Sequence, residues 1–196
     1  MLKGSMKQQE SIKTIQPWKR LDSRLVLSAK PWVAVYQEQV QLPSGRVLDD
    51  FYRVECRDFV AVVASTATDH LVMVRCYKHG MGEVVLSVPA GYMEQGETPL
   101  TAAQRELLEE TGYAAAEWKQ LGSFVVDGNR YCNTMHLFLA KEVQWVKPCN
   151  TDETEEVQVE LVSSRWVAEA IRKGEIHHLV TVSAVATALM GGLDQD

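Results

Sequence analysis

The sequence predicts an α/β domain in which helices cover both faces of a mixed sheet. Three observations carry this reading. Short β-prone runs recur along the chain, strongest at 59–65 and 71–77. Three helical patterns accompany them, at 98–111, 164–173 and 179–190. The 196 residues are 46% hydrophobic and 23% charged, which supplies one ordinary core and excludes a largely disordered chain or a coiled coil.

The elements follow in order. Residues 1–17 are polar and read as a mobile lead. Two strand-like runs between Trp32 and Cys56 flank Leu42, Pro43, Ser44, Gly45 and Arg46, the composition of a hairpin turn. Residues 18–56 are thus expected to form an N-terminal β-hairpin extension, and 57–196 the main domain. The 59–65 and 71–77 strands are joined by a turn at 67–70, and a shorter run at 84–88 stops at Pro89. In the first helix Thr98 is placed to cap the N-terminus and Pro99 fits the first helical position, where its missing N–H costs nothing. Leu100, Ala103 and Leu107 recur at helical spacing and are expected to face the core, and Gly112 is a natural stop. Strands are expected near 121–126, 135–140 and 157–162, with a polar loop at 147–155. The last two helices end at Gly174 and at Gly191. Trp118, Trp145 and Trp166 are expected in the core, His136 in a structural role, and His177 with His178 as a surface pair.

Charge and cysteine content narrow the function classes. Twenty basic against 26 acidic residues give a formal charge of -6, which disfavours a nucleic-acid surface. No apolar run reaches bilayer length, so no membrane partner is expected. The N-terminus lacks the pattern of a secretory signal. Cys56, Cys76, Cys132 and Cys149 are widely spaced without a C-x-x-C pair, which reads as free thiols in a reducing compartment, with the cytoplasm as the default.

The informative segment is 91–113. Glu106, Glu109 and Glu110 are spaced i, i+3, i+4 and share one helix face. Like charges repel there, and the helix C-terminus disfavours anions. The arrangement is locally unfavourable and calls for a cation, and hard ions such as Mg²⁺ or Mn²⁺ prefer carboxylate oxygens. Arg105 lies beside this face. Glu97 precedes the helix on a loop bounded by Gly91 and Gly96, and the backbone carbonyl at Ala90 ends a strand nearby. A solvated acidic surface is the alternative for the acids taken singly.

Gly91, Glu97, Arg105, Glu106, Glu109, Glu110 and Gly112 fill every fixed position of the pattern G-x5-E-x7-R-E-U-x-E-E-x-G-U, with Leu107 and, more loosely, Tyr113 as the bulky apolar residues. At ordinary residue usage such a match arises by chance in roughly one chain in a hundred thousand or fewer. The segment resembles the Nudix box. The resemblance implies the Nudix fold, an α/β/α sandwich with a mixed sheet, and hydrolysis of a nucleoside diphosphate linked to another moiety with Mg²⁺ or Mn²⁺. Carried over, Glu106, Glu110 and Glu97, with the Ala90 carbonyl, hold metal. Glu109 assists, and Arg105 orients the acids.

Outside the box the chain is similar to the ADP-ribose and nucleotide-sugar pyrophosphatase branch. That similarity implies a homodimer in which Trp32 and Phe51 stack the base, an interaction worth ~1–3 kcal/mol per base. It places Lys78 and Arg53 at the diphosphate, and Arg130 in a loop that meets the distal sugar or phosphate. It also makes Glu153, in the pattern Glu153, Glu156, Val157, the base that activates water. The chain departs from the branch at Ser87, where a glutamate is usual, and at 126–131, which lacks a proline. Alternatives are a pyrophosphatase for GDP-mannose or a dinucleotide, and a Nudix module that senses a nucleotide without cleaving it.

Overall fold

Alternation along the central strands decides which side each residue serves. Val60, Val62 and Ala64 point to one face and Ala61 and Val63 to the other, and all five are buried. A computed structural model describes residues 14–150 and 156–191. Its elements are β1 (Lys19–Ala29), β2 (Val33–Gln41), β3 (Val47–Cys56), β4 (Phe59–Ala64), β5 (His70–Lys78), β6 (Glu83–Ser87) and β7 (Ala90–Tyr92), then α1 (Pro99–Thr111). They continue with β8 (Tyr113–Ala114), β9 (Glu117–Val125), β10 (Thr134–Lys141), β11 (Gln144–Trp145), β12 (Val157–Ser163), α2 (Ser164–Lys173) and α3 (Leu179–Gly191).

The mixed sheet has the order β7-β4-β10-β9, with β4 parallel to β10 and the other pairs antiparallel. The antiparallel sheet β12-β5-β6 joins it through a bridge between Ser65 and Leu71. Helix α1 packs Ala102, Ala103 and Leu107 on the Val60, Val62 and Phe138 face. Helices α2 and α3 pack Val167, Ala170, Ala184, Val185 and Ala188 on the Ala61, Val63, Leu137 and Leu139 face. The predicted α/β/α sandwich is therefore observed. Leu107 is fully buried at the α1 contact, a site where truncation to Ala costs about 2–5 kcal/mol.

The ends of α1 form as the sequence predicts. The Thr98 hydroxyl accepts from the Thr101 N–H at 3.2 Å, and Pro99 opens the helix. Gly112 closes it at φ 75°, its N–H donating to the Leu108 carbonyl at 2.9 Å. One expectation fails at this helix: Leu100 is exposed. The buried arc runs through Ala103, Glu106, Leu107 and Glu110, which leaves Leu100 at its margin. Trp145 and Trp166 are likewise exposed rather than in the core, while Trp118 meets Phe138 edge-on at 6.4 Å. Trp145 lies on a two-residue strand, and Trp166 sits at the margin of the buried arc of α2 that runs through Ser164, Val167 and Ala170.

The N-terminal extension is larger than a hairpin. Strands β2 and β3 form the predicted hairpin around 42–46, with the Leu42 N–H donating to the Arg46 carbonyl at 2.8 Å. Strand β1 adds a third, antiparallel member on β2. Its register shifts at Arg20/Asp22 and at Leu25/Leu27, and these bulges break the period-two pattern that would betray a strand in sequence. Every residue of β1 is exposed, including Leu21, Leu25, Val26 and Leu27. Most of the lead at 1–17, namely 1–13, lies outside the described residues.

Candidate active site

The last two turns of α1 lie against β7. Glu106 and Glu110 are on the inner, buried side of the helix. The Ala90 N–H donates to Glu110 Oε2 at 3.0 Å. Gly91 makes room for Glu106: a Cβ at that position would lie 2.1 Å from the carboxyl carbon. A three-residue strand thus fixes two acids through one amide and one absent side chain.

Arg105 ties the rest together. Its Nε and Nη2 donate to the two oxygens of Glu97 at 2.8 and 3.0 Å, a bidentate pair. Nη1 donates to Glu106 at 2.7 Å and to Glu109 at 3.1 Å, and Nη2 also reaches the Tyr92 carbonyl at 3.0 Å. The loop after β7 therefore brings Glu97 back to the helix, where the Glu94 N–H also donates to it at 2.8 Å. The Arg105 hydrogen bond holds the Glu97 carboxyl below the usual carboxylate range against the opposing effect of burial. The same contact with Glu97 pushes the Arg105 guanidinium up.

Among the described residues, no three acidic, His or Cys side chains close on a common ion position; Arg105 lies among the acids instead. The chemistry of the donor set still fits a divalent cation. Three carboxylates, those of Glu97, Glu106 and Glu109, meet one guanidinium, a fourth, that of Glu110, is held by the Ala90 N–H, and Arg57 acts on Glu97 from further off. Two of those acids are buried, and buried carboxylates need compensating positive charge.

On its other side β7 lines a cleft of about 240 Å³, with Lys78, Ser87, Ala90, Gly91, Tyr92 and His178 in its walls. At the mouth, Trp32 meets Tyr92 edge-on at 6.3 Å. The Arg57 guanidinium lies over both rings, 5.6 Å from Trp32 and 5.2 Å from Tyr92, and donates to the Met93 carbonyl at 2.6 Å. Both aromatics remain exposed.

The acids at 97, 106, 109 and 110, Arg105, Ala90, Lys78 and Trp32 are thus gathered around β7. Phe51 and Arg53 are not. Phe51 packs on Trp18 at 5.9 Å, and its register partner is Glu38, whereas Trp32 adjoins the Val33 and Cys56 pair. Five residues along an antiparallel strand place the two aromatics about 17 Å apart within one chain. Arg53 donates to Glu38 at 3.0 Å, reaches Glu55 at 3.6 Å and covers the Tyr36 ring at 4.5 Å. Arg130 lies in an exposed turn capped by Asp127, and its carbonyl accepts from the Val54 N–H at 2.9 Å. Glu153 lies outside the described residues.

Sequence reasoning missed Arg57, Tyr92 and His178. Arg57 stands two residues before a strongly predicted strand, a place from which a side chain can reach a site at the strand end. His178 is not the surface residue expected; it is half-buried and lines the cleft.

Fold and site together define a class: an α/β/α sandwich whose first helix gathers four carboxylates and an arginine against a short strand. The NUDIX domain model matches residues 56–180, and a model described as the nucleoside diphosphate sugar hydrolase N-terminal domain matches 18–54. The chain belongs to the Nudix hydrolase family. It is similar to an ADP-ribose pyrophosphatase of Bacillus subtilis (strain 168), 30% identical over 78% of this chain and 83% of that one. It is equally similar to a methanol dehydrogenase activator of Bacillus methanolicus, 31% identical over the same shares. A crystal structure of an ADP compounds hydrolase superposes with a TM-score of 0.77 at 20% identity, covering 91% of this chain and 96% of that one, which shows the shared fold. Nudix hydrolases generally need a divalent metal. No helix among the described residues is long and apolar enough to cross a membrane.

Proposed function

We propose that this enzyme hydrolyses the diphosphate of ADP-ribose or a closely related nucleotide sugar to a nucleoside monophosphate and a sugar phosphate. The observation that carries this is the pair of buried acids, Glu106 and Glu110, locked against β7 at the edge of a cleft walled by Lys78 and His178. The names of the relatives supply the nucleotide.

Glu106 and Glu110, with Glu97, Glu109 and the Ala90 carbonyl, are the residues that would hold Mg²⁺ or Mn²⁺. Such an ion supplies charge withdrawal from the phosphate oxygens and a lowered pKa for a bound water. Arg105 keeps Glu97, Glu106 and Glu109 in register through its fork. Lys78 pairs with the phosphate on the cleft side. Water adds to one phosphorus, the bridging P–O bond breaks, and the water's proton passes to a carboxylate. Glu153 is assigned as that base on sequence grounds, with Glu109 beside the site as the alternative. Trp32 stacks the base at the cleft mouth.

The exposed apolar residues of β1, on a three-stranded sheet that projects from the sandwich, support a homodimer. In that assembly the second copy supplies Phe51 and Arg53, which one chain keeps away from its own acids, and Arg130 meets the distal end of the substrate. The four free cysteines support a reducing compartment, the cytoplasm.

The test is a hydrolysis panel of ADP-ribose, ADP-glucose, GDP-mannose and dinucleotides with Mg²⁺, run beside Glu110→Gln. ADP-ribose is expected to lead the panel, and the substitution to lower kcat by more than about 100-fold, since it removes a charged ligand. No turnover of any compound, or undiminished turnover in the variant, rejects the assignment.

A further inference from the structure

The cleft beside β7 carries chemistry that bond cleavage does not use. At about 240 Å³ it falls below the ~300–1,000 Å³ of sites that enclose a whole drug-sized ligand, so it takes one end of a nucleotide sugar. Among the described residues its walls carry a lysine, an imidazole, a hydroxyl and an amide but no carboxylate, although the acid helix lies just across β7.

The protons in this wall can be assigned. Ser87 Oγ is buried, 3.1 Å from the Val88 carbonyl, 3.0 Å from Thr181 Oγ1 and 3.4 Å from His178 Nδ1. Thr181 Oγ1 lies 3.3 Å from the same Nδ1. A carbonyl only accepts, so the Ser87 proton belongs to Val88. Ser87 must then accept from Thr181, which uses the second hydroxyl proton. Both oxygens now face Nδ1 with lone pairs, so Nδ1 carries the hydrogen. In the neutral ring the opposite atom, Nε2, is an acceptor. Burial first, and then the charges of Lys78 and His177, hold the His178 pKa below its ordinary value and favour that neutral ring.

We propose that His178 Nε2 accepts a hydrogen bond from a hydroxyl of the sugar distal to the nucleoside, while Lys78 pairs with the phosphate that carries this sugar. The cleft is thus a sugar-phosphate subsite, and His178, held by Ser87 and Thr181, determines specificity within it. The inference rests on the proposed nucleotide-sugar hydrolysis and is testable apart from it.

His178→Phe keeps a flat aromatic ring, slightly larger than imidazole, and removes both nitrogens. The readout is kcat/KM for ADP-ribose divided by kcat/KM for β-methyl ADP, in which a methyl group replaces the sugar. The ratio is expected to fall about tenfold, the size of one hydrogen bond at the upper end of its ordinary range. Thr181→Val, which releases the fixed tautomer, should lower it by about threefold and carries the test if His178→Phe does not fold. In parallel, ribose 5-phosphate and inorganic phosphate are titrated against the wild-type imidazole NMR signals. Inorganic phosphate on Lys78 should move the His178 signals only through its charge, and ribose 5-phosphate should move the Nε2 resonance further. An unchanged ratio, or a His178 signal that both compounds move alike, overturns the proposal. If wild-type enzyme hydrolyses neither substrate, the function proposed above falls and the titration alone decides this one: a sugar-dependent shift upholds it and its absence overturns it.

Discussion

Replacing Gly91 by Ala separates the site from the fold. The new Cβ would lie 2.1 Å from the Glu106 carboxyl carbon and one of its oxygens, and 2.3 Å from the other, where ordinary contact begins at 3.4 Å. The carboxylate must therefore retreat by about 1.3 Å. Nothing else need move. Gly91 is not among the positive-φ glycines, so its backbone accepts Ala, and the obstructing atoms are the end of a flexible side chain. The antiparallel pairing of Gly91 with Val60 survives. Ala in place of Gly also restricts the unfolded chain, a gain of about 0.4–1 kcal/mol that offsets the weakened Arg105–Glu106 contact. Net stability should change by less than about 1 kcal/mol, while a displacement of roughly 1 Å in a reacting constellation costs about 100-fold in rate. The assay is kcat on ADP-ribose with Mg²⁺, beside thermal unfolding of the same preparation. A variant that melts with the parent and turns over within about threefold of it refutes the claim that Glu106 works from this position.

A second glycine and the cleft histidine give two further tests. Gly112→Ala should act oppositely, on the fold: φ is 75° and the added Cβ would lie 1.9 Å from the Lys147 carbonyl oxygen, which is backbone and does not swing away. The left-handed conformation alone costs ~1–2 kcal/mol, so Tm should drop by roughly 2–8 °C in calorimetry for a chain of this size. The preference for ADP-ribose over β-methyl ADP should depend on pH through His178. Its pKa is depressed, by burial first and then by Lys78 and His177, the latter 3.2 Å from Glu83. The neutral acceptor thus persists at and somewhat below the ordinary value of 6.5. The preference should hold at pH 7 and fade only as pH drops through the lowered pKa, when Nε2 gains a proton and stops accepting. Parallel pH profiles for the two substrates check this, and a preference that fades on the alkaline side contradicts it.

Helix α1 was legible because its signals are local. Thr98, Pro99 and Gly112 act within one turn of themselves, and the acids recur at a spacing only a helix puts on one face. What the spacing did not reveal is which face turns inward. Glu106 and Glu110 are buried and Leu100 is not, a reversal of simple hydrophobic ranking that arises where β7 offers an amide and a glycine instead of an apolar wall. Strand β1 was missed because its bulges interrupt alternation, and Trp166 was misplaced because aromatic size outweighed its position on α2. His178 and Arg57 were invisible for another reason: each is far in sequence from β7, and only the tertiary fold brings His178 into the wall of the cleft and Arg57 to its mouth.

The short strand β7 reconciles two demands that conflict in a protein of net charge -6. Glutamates that hold cations repel the anionic substrate those cations must meet. Net charge is a minor part of that repulsion, since exposed charges are screened beyond ~8 Å at physiological salt. The acids within a few ångströms are the difficulty. Here they all lie on the α1 side of β7, already drawn inward by Arg105 and the Ala90 amide. The cleft side presents Lys78 and a neutral His178, with Arg57 at its mouth. In the proposed reaction a diphosphate laid across Ala90 and Gly91 would meet the oxygens proposed to hold metal on one flank and Lys78 on the other. The residues it crosses carry a methyl group and a hydrogen as side chains, which is what such close passage over a backbone requires.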